Sequence, residues 1–563
     1  MSVRRTSVRT TEAHERSRSG LRRARKHCRP ESSADPVSSS PPVPARRFAS
    51  AELLANLQSQ AHPWLPRLAA LGAGALTACS FAPLQWWVFA IVSPAVLMLL
   101  WESATPRQAA GLGFWFNFGT FFVGTIWLYT GLHVMGGAPA WMAFGLMLGL
   151  TSIMALYHAG LGYLVARWMP PGPVRWLIGM PAAWVFIEWW RGWFLSGFAW
   201  LSLGYSQTDT ALGHFAPLVG VYGISAILLL SAGALVALIR GSTRTRVIAG
   251  LVLIVPWLVA IPLRGVEWTQ PSGRPVAIAI AQGAIPQQQK WLDSNHDATL
   301  NLYRKLAERG FGTPLIVFPE ASLPDLANEL VPYLRSLYRD ASSAGSAVVL
   351  GILRMDERER YYNSVLALGD NVQWYDKNHL VPFAEFFPVP EFVRSWLRLM
   401  SLPYSDFTRG GPTQPPLRAA GLKMAMTICY EDGYGSSQLP MLQEADTLVN
   451  VTNDAWFGHG SARHQHFQLA RMRAMEAERY MIRAANDGIS GVIGPHGEIV
   501  ARAPEFQQFL LHASVTPRAG LTFYARVGNW LVISLATLGI LIAIAIKTVA
   551  ARSRGTLRTR NLG

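Results

Sequence analysis

Cysteine is nearly absent from this chain: three occur in 563 residues, Cys28, Cys79 and Cys429. So few exclude a disulfide framework, and Cys429 has no second thiol in its own region of the chain. Charge is also scarce, at 15% of residues, and acid is the scarcer sign, with 34 Asp and Glu against 50 Lys and Arg. No repeat of solenoid period is visible. His459, His464 and His466 are spaced for no standard helical zinc motif, so no metal or other cofactor is expected. The net charge of +16 does not describe a nucleic-acid-binding face. About half of it sits in residues 1–50, a Ser-, Pro- and Arg-rich stretch that reads as disordered. Its basic run at 22–26 suits anionic lipid heads; no nucleic-acid partner is expected.

What is abundant is apolar. Half the residues are hydrophobic and 21 are Trp, a balance that points to membrane spans with Trp at their interfaces. Apolar segments near the ~20 residues needed to cross lie at about 84–101, 109–130, 141–166, 174–190, 213–239, 247–263 and 527–546. A shorter one at 68–82 ends in Cys79 and superficially resembles a lipoprotein signal, but a first span is the better reading because more spans follow. About eight spans result, with the first two short enough to form a hairpin. Alternate linkers hold Arg107, then Arg167 and Arg175, then Arg240, Arg244 and Arg246; the C-terminal tail holds Lys547, Arg552, Arg554, Arg558 and Arg560. The positive-inside rule places those linkers and both termini in the cytoplasm, and residues 273–519 outside. Within the spans Glu188 reads as an interfacial anchor and His158 is the other ionisable group. The aromatic linker from Trp193 to Tyr205 is expected at the headgroup level, where it could line an entrance for lipid.

Five parts follow: a basic tail at 1–62, a seven-span bundle at 63–265, a soluble domain at 273–519, a last span within 525–548 and a second basic tail at 549–563. In the soluble part the pattern predicts strands at 275–281, 314–319, 346–353, 362–368, 372–376, 423–428, 446–451, 489–493, 498–502 and 508–515. Helices are predicted at 294–309, 328–342, 436–444 and 462–485. That rhythm argues a layered α/β domain.

Three predicted strands end in chemistry. Leu315-Ile-Val-Phe-Pro-Glu320 ends in a carboxylate, Val372-Gln-Trp-Tyr-Asp-Lys377 in an ammonium, and the apolar run from Met424 to Ile428 in Cys429, Tyr430 and Glu431. Buried strands of open α/β sheets present their ligands at such ends. A thiol near pKa 8.5 is mostly protonated at neutral pH, and a carboxylate can take its proton as it attacks. An ammonium favours the thiolate and can stabilise the oxyanion that follows, with the Tyr430 N–H as a second donor. Glu385 could orient Lys377.

The order Glu320, Lys377, Cys429 resembles the nitrilase (carbon-nitrogen hydrolase) superfamily over roughly 273–519. Further motifs narrow it: Gln282-Gly-Ala-Ile-Pro-Gln287 with Lys290-Trp291, Tyr362-Asn-Ser364, Asn453-Asp-Ala-Trp-Phe-Gly458, and Trp200-Leu-Ser-Leu-Gly-Tyr-Ser-Gln207 in the membrane part. Together they resemble the apolipoprotein N-acyltransferase family over about 65–547. The resemblance implies an αββα sandwich on a membrane bundle. It implies an enzyme of the bacterial inner membrane that takes an acyl chain from a phospholipid, typically phosphatidylethanolamine, as a cysteine thioester. The acceptor is the amino group of a diacylglyceryl-cysteine apolipoprotein. Cys429 is then the nucleophile, Glu320 the base and Lys377 the oxyanion partner. Glu385, Tyr430 and Glu431 support them, and Trp291, Asn363 and Trp456 match family positions at or near the site. Apolar segments at 383–388 and 396–403 are candidates for a lid. The competing readings are a tethered amidase, for which eight spans are excessive, and a transporter with an inactive hydrolase-like domain, whose spans lack the broken polar helices of a translocation path.

Overall fold

The computed structural model describes residues 64–382, 384–386 and 407–560, with side chains to residue 553. The basic N-terminal stretch and the segments at 387–388 and 396–403 lie outside the described residues. Helices α1 (Leu65–Ala78), α2 (Phe89–Trp101), α3 (Pro106–Gly124), α4 (Ala140–Trp168), α5 (Met180–Arg191), α6 (Ala216–Arg240) and α7 (Thr243–Leu263) form a bundle, and the C-terminal helix Trp530–Arg560 packs back onto α5. Helices occupy all eight segments expected from the sequence. Among the described residues four are long and apolar enough to cross a membrane, or up to five if the pair Pro106–Gly124 and Trp127–Met135, bent by 51°, is one span. Helices α1, α2 and α5, with 14, 13 and 12 residues, fall short of the ~20 a straight crossing needs. The helices alone therefore do not establish a count of eight.

Two expectations for the bundle change. Glu188 is not an exposed anchor: it is 2% exposed and accepts from the Leu203 N–H at 3.1 Å and the Trp184 indole at 3.3 Å. A turn buried at Leu203 needs an acceptor for its free N–H, and Glu188 supplies it. The aromatic linker divides: Trp193, Phe194 and Leu195 are exposed, whereas Trp200 to Gln207 are buried. Its second half is packed connector, because its indole and phenol find partners inside the protein.

The soluble part holds strands β1 (Val276–Gln282), β2 (Leu315–Val317), β3 (Ala347–Met355), β4 (Tyr361–Leu368), β5 (Val372–Asp376), β6 (Leu417–Ala419), β7 (Leu422–Ile428), β8 (Thr447–Thr452), β9 (Met481–Ala485), β10 (Gly491–Ile493), β11 (Ile499–Arg502) and β12 (Phe509–Val515). They form two six-stranded sheets, ordered β12-β1-β2-β3-β4-β5 and β11-β10-β9-β8-β7-β6. Alternation decides what each face meets. In β1, Ile278 and Ile280 face the second sheet and join Met424, Met426, Val449 and Ile482 in one core. Ala279 and Ala281 face outward, under Tyr303 and Leu306 of helix α8 (His296–Gly310); Leu334 and Leu337 of helix α9 (Val331–Ser343) complete that layer. Helix α10 (Ala462–Ala477) covers the other sheet with Phe467, Ala470 and Ala474. The layers are α, β, β, α.

Helix α10 ends earlier than the apolar pattern predicts. Glu478 adopts φ +48°, a left-handed C-cap, and residues 481–485 form β9, paired parallel to β8. The sequence over 462–485 holds no glycine or proline to mark where the buried helix stops and the buried strand begins. The helix expected at 436–444 is only short 3₁₀ turns, at Gly435–Ser437 and Leu439–Met441; Pro440 removes the N–H that a longer helix would use.

Helix α10 also serves the bundle. Its Ala462, Leu469, Met472 and Met475 belong to the bundle's core cluster. Helix α6 breaks at Gly220, where φ is +62° and a Cβ would lie 2.4 Å from the Tyr524 ring. The next N–H, of Val221, donates to Glu476 of α10 at 2.8 Å.

Candidate active site

Strand β2 delivers Glu320 after the turn Phe318-Pro319, and β3 crosses beside it at Gly351. A Cβ on Gly351 would lie 2.6 Å from both the Pro319 carbonyl oxygen and the Glu320 Cα, so only glycine allows this approach. The β4–β5 ladder runs one residue past β5, the Lys377 N–H donating to the Asn363 carbonyl at 2.8 Å. Lys377 and Asn363 therefore leave neighbouring strands side by side. Strand β7 ends at Cys429, whose φ is +52°. Such a turn costs a non-glycine residue roughly 1–2 kcal/mol. It is held by the Cys429 carbonyl accepting from the Asn450 amide at 3.2 Å and sharing His466 Nε2 at 3.1 Å.

The structure gathers Glu320, Lys377, Glu385 and Asn363 into one hydrogen-bonded group. Lys377 Nζ donates to Glu385 Oε1 at 2.8 Å and lies 3.5 Å from Glu320 Oε1. The Asn363 amide bridges the same two oxygens at 2.8 and 2.9 Å. Glu320 Oε2 accepts the Asn453 N–H, from the end of β8, at 2.9 Å, which joins the two sheets across the site. Glu385 Oε2 accepts the Val381 N–H at 2.8 Å. Lys377 is 1% exposed. Burial disfavours its charge, but Glu385, Glu320 and Cys429 outweigh that and hold its pKa above the usual lysine value. It is a fixed cation.

The Cys429 thiol contacts the Thr452 hydroxyl and feels the charges of Glu320, Lys377 and Asp454. Burial pushes its pKa up, Glu320 adds to the rise and Lys377 opposes it. A neutral thiol beside a carboxylate can surrender its proton as it attacks, rather than beforehand. Alkylation of Cys429 by iodoacetamide, followed by mass spectrometry, should still accelerate above about pH 9, where an ordinary thiol levels off. A plateau at about pH 8.5 would contradict this environment.

Glu431 is fully buried, and burial raises its pKa against the pull of its N–H donors. One oxygen accepts the Asn378 and His379 N–H groups at 2.8 and 2.9 Å; the other accepts the Ile428 N–H at 2.8 Å and the Tyr375 hydroxyl at 3.0 Å. It ties the loop after Lys377 to the turn at Cys429. Tyr430 points to the bundle, its hydroxyl donating to the Gly197 carbonyl at 3.2 Å and its ring stacked on Trp200 at 6.1 Å. Trp291 and Trp456 are 47% and 43% exposed, so neither is packed into the ion-pair group. Trp291 lies 5.9 Å from the Nζ of Lys290, which is buried and donates to the Glu320 carbonyl at 3.2 Å. Burial lowers the Lys290 pKa to about 8 against the pull of Glu320 and Cys429.

Sequence reasoning missed the layer beneath Cys429. Asp432, Asp454, His466 and Arg483 are each 1% exposed or less and joined by ion pairs of 2.8–3.1 Å. Arg483 gave the available signal, a lone charge between Ile482 and Ala484. His459 lies on the Phe506 ring, 4.0 Å between centroids. Among the described residues no group of His, Cys, Asp and Glu is arranged to hold a metal ion.

The carbon-nitrogen hydrolase family model matches residues 277–522. A solved carbon-nitrogen hydrolase from Helicobacter pylori aligns at 16% identity, covering 43% of this chain and 89% of its own, with a TM-score of 0.33. By the family model that spans it, the sandwich is a nitrilase-like domain joined to a helical bundle. Residues 73–234 match the apolipoprotein N-acyltransferase N-terminal domain. Proteins named apolipoprotein N-acyltransferase from Chromobacterium violaceum and Pseudomonas putida are 41% and 38% identical, covering 82% and 83% of this chain and 90% and 94% of their own. The chain belongs to the apolipoprotein N-acyltransferase family.

Proposed function

We propose that this protein moves an acyl chain from a phospholipid, with phosphatidylethanolamine as the expected donor, to the N-terminal amino group of a diacylglyceryl-cysteine apolipoprotein. It does so through a thioester on Cys429. The observation that carries the reading is the Lys377 ammonium shared between Glu320 and Glu385 beside the single thiol of the domain. In the first half-reaction Glu320 takes the thiol proton as Sγ attacks the ester carbonyl. Lys377 and the Tyr430 N–H stabilise the oxyanion, and the lysophospholipid leaves with the proton from Glu320. In the second, the lipoprotein amine attacks the thioester, Glu320 accepts its proton, and the restored thiol closes the cycle. Glu385 and Asn363 hold Lys377 and Glu320 in place, and Glu431 fixes the two turns that carry Lys377 and Cys429. Trp291 and Trp456 form an apolar rim for the lipid chains.

Residues 273–519 are the catalytic domain and face the periplasm from the inner membrane, with both termini cytoplasmic. The distribution of Lys and Arg in the linkers supports that side. Passing an acyl chain through water would expose CH₂ groups at ~0.8 kcal/mol each, and a site at the outer leaflet avoids this. Spheroplasts given a labelled phospholipid in the outer leaflet should yield a hydroxylamine-labile adduct on Cys429. Release of free fatty acid without acceptor labelling would favour an amidase-like hydrolase; an adduct on any residue other than Cys429 would reject the thioester.

A further inference from the structure

His466 sits behind Cys429, on α10, and the reaction described above does not use it. Among the described residues its ring meets only acceptors in its plane. Nδ1 faces Asp454 Oδ1 at 2.8 Å; Nε2 faces Asp432 Oδ1 at 2.9 Å and the Cys429 carbonyl at 3.1 Å. A neutral imidazole carries one N–H and would leave its other nitrogen lone pair against a carboxylate. Both nitrogens must therefore donate. The second cation of the cluster, Arg483, donates to the far oxygens of the same carboxylates at 2.9 and 3.1 Å and to the Asn450 side chain at 2.7 Å. Asn450 in turn donates to the Cys429 carbonyl. Two cations and two anions thus balance. Trp200 and Phe457 approach it by their rings, at 5.5 and 6.4 Å.

We infer that His466 is a standing imidazolium that polarises the Cys429–Tyr430 peptide from behind, a positioning residue for the acyl-transfer step. The carbonyl it meets belongs to the same amide as the Tyr430 N–H. Drawing electron density onto that oxygen makes the N–H a stronger donor, and hydrogen bonds in series reinforce one another. The nucleophile's turn and its oxyanion donor are thus set by one buried cation. The electrostatics agree: burial and Arg483 lower the His466 pKa, Asp432 and Asp454 outweigh them, and it is lifted to about 9. The inference rests on the thioester reading above.

Two measurements on the full-length protein in detergent micelles test it. The first is the single-turnover rate of Cys429 acylation by a fluorescent phospholipid in His466→Gln, whose neutral amide can still reach the carbonyl. The expected result is a rate lower by roughly 10- to 100-fold with KM unchanged, below the loss for a direct oxyanion donor. A wild-type rate, or a changed KM at constant rate, overturns the inference. The second needs no variant: with ¹⁵N-labelled histidine, one ring should keep both nitrogens protonated at about pH 8, where ordinary histidines are neutral. Its absence also overturns the inference. If wild-type protein forms no thioester on Cys429, the thioester reading fails instead; the two failures are distinct.

Discussion

Cys429→Ala protein inserts, folds and transfers no acyl group. The side chain removed is small, and alanine meets the same φ of +52° that cysteine does. The backbone anchors at Asn450 and His466 remain. Stability should change by no more than ~1 kcal/mol, within the range of ordinary substitutions, and a thermal melt checks it. Transfer to a lipoprotein acceptor should fall on the order of 10⁶-fold, as for loss of a covalent nucleophile, which is below detection. Cys429→Ser should do the same, because a hydroxyl is a far weaker nucleophile than a thiol. Residual transfer within tenfold of wild type would sink the mechanism.

Lys377→Met has a double effect. It strands Glu320 and Glu385, at 10% and 12% side-chain exposure, without their shared cation. Breaking one side of such a buried group costs ~3–5 kcal/mol. It also removes the proposed oxyanion partner, worth ~10²–10³ in rate. The double variant Lys377→Met/Glu385→Gln separates the two. Removing one orphaned carboxylate should restore part of the lost stability while activity stays absent. Recovery of transfer together with stability would mean that Lys377 only holds the carboxylates apart.

The strand ends were legible because buried parallel strands are continuous apolar runs that stop at chemistry. The runs before Glu320 and Cys429 are β2 and β7, and the approach to Lys377 is β5. Glu385 was legible as the partner of Lys377. What the sequence concealed depends on partners far away in the chain. Glu431 looks like a third catalytic carboxylate, yet its oxygens are occupied by three backbone N–H groups and Tyr375. His466 carries no signal by itself, since its carboxylates lie 12 and 34 positions away. Arg483 lies in β9, past the end of the helix that the sequence pattern extends to residue 485. Local periodicity reports an element's type, while the pairing of buried charges is written only in three dimensions.

Helix α10 is buried along its whole length except at His464, yet it carries Arg463, Gln465, His466, Gln468, Arg471, Arg473 and Glu476. Several of these bind the bundle: Gln465 accepts from the Trp200 and Trp127 indoles at 2.7 and 3.2 Å, and Glu476 accepts from Val221 at 2.8 Å. Excising the sandwich as a water-soluble fragment would strip these groups of their counterparts and bare Leu469, Met472 and Met475 to solvent. Compound screening or crystallisation must therefore keep the whole polypeptide in a lipid mimetic.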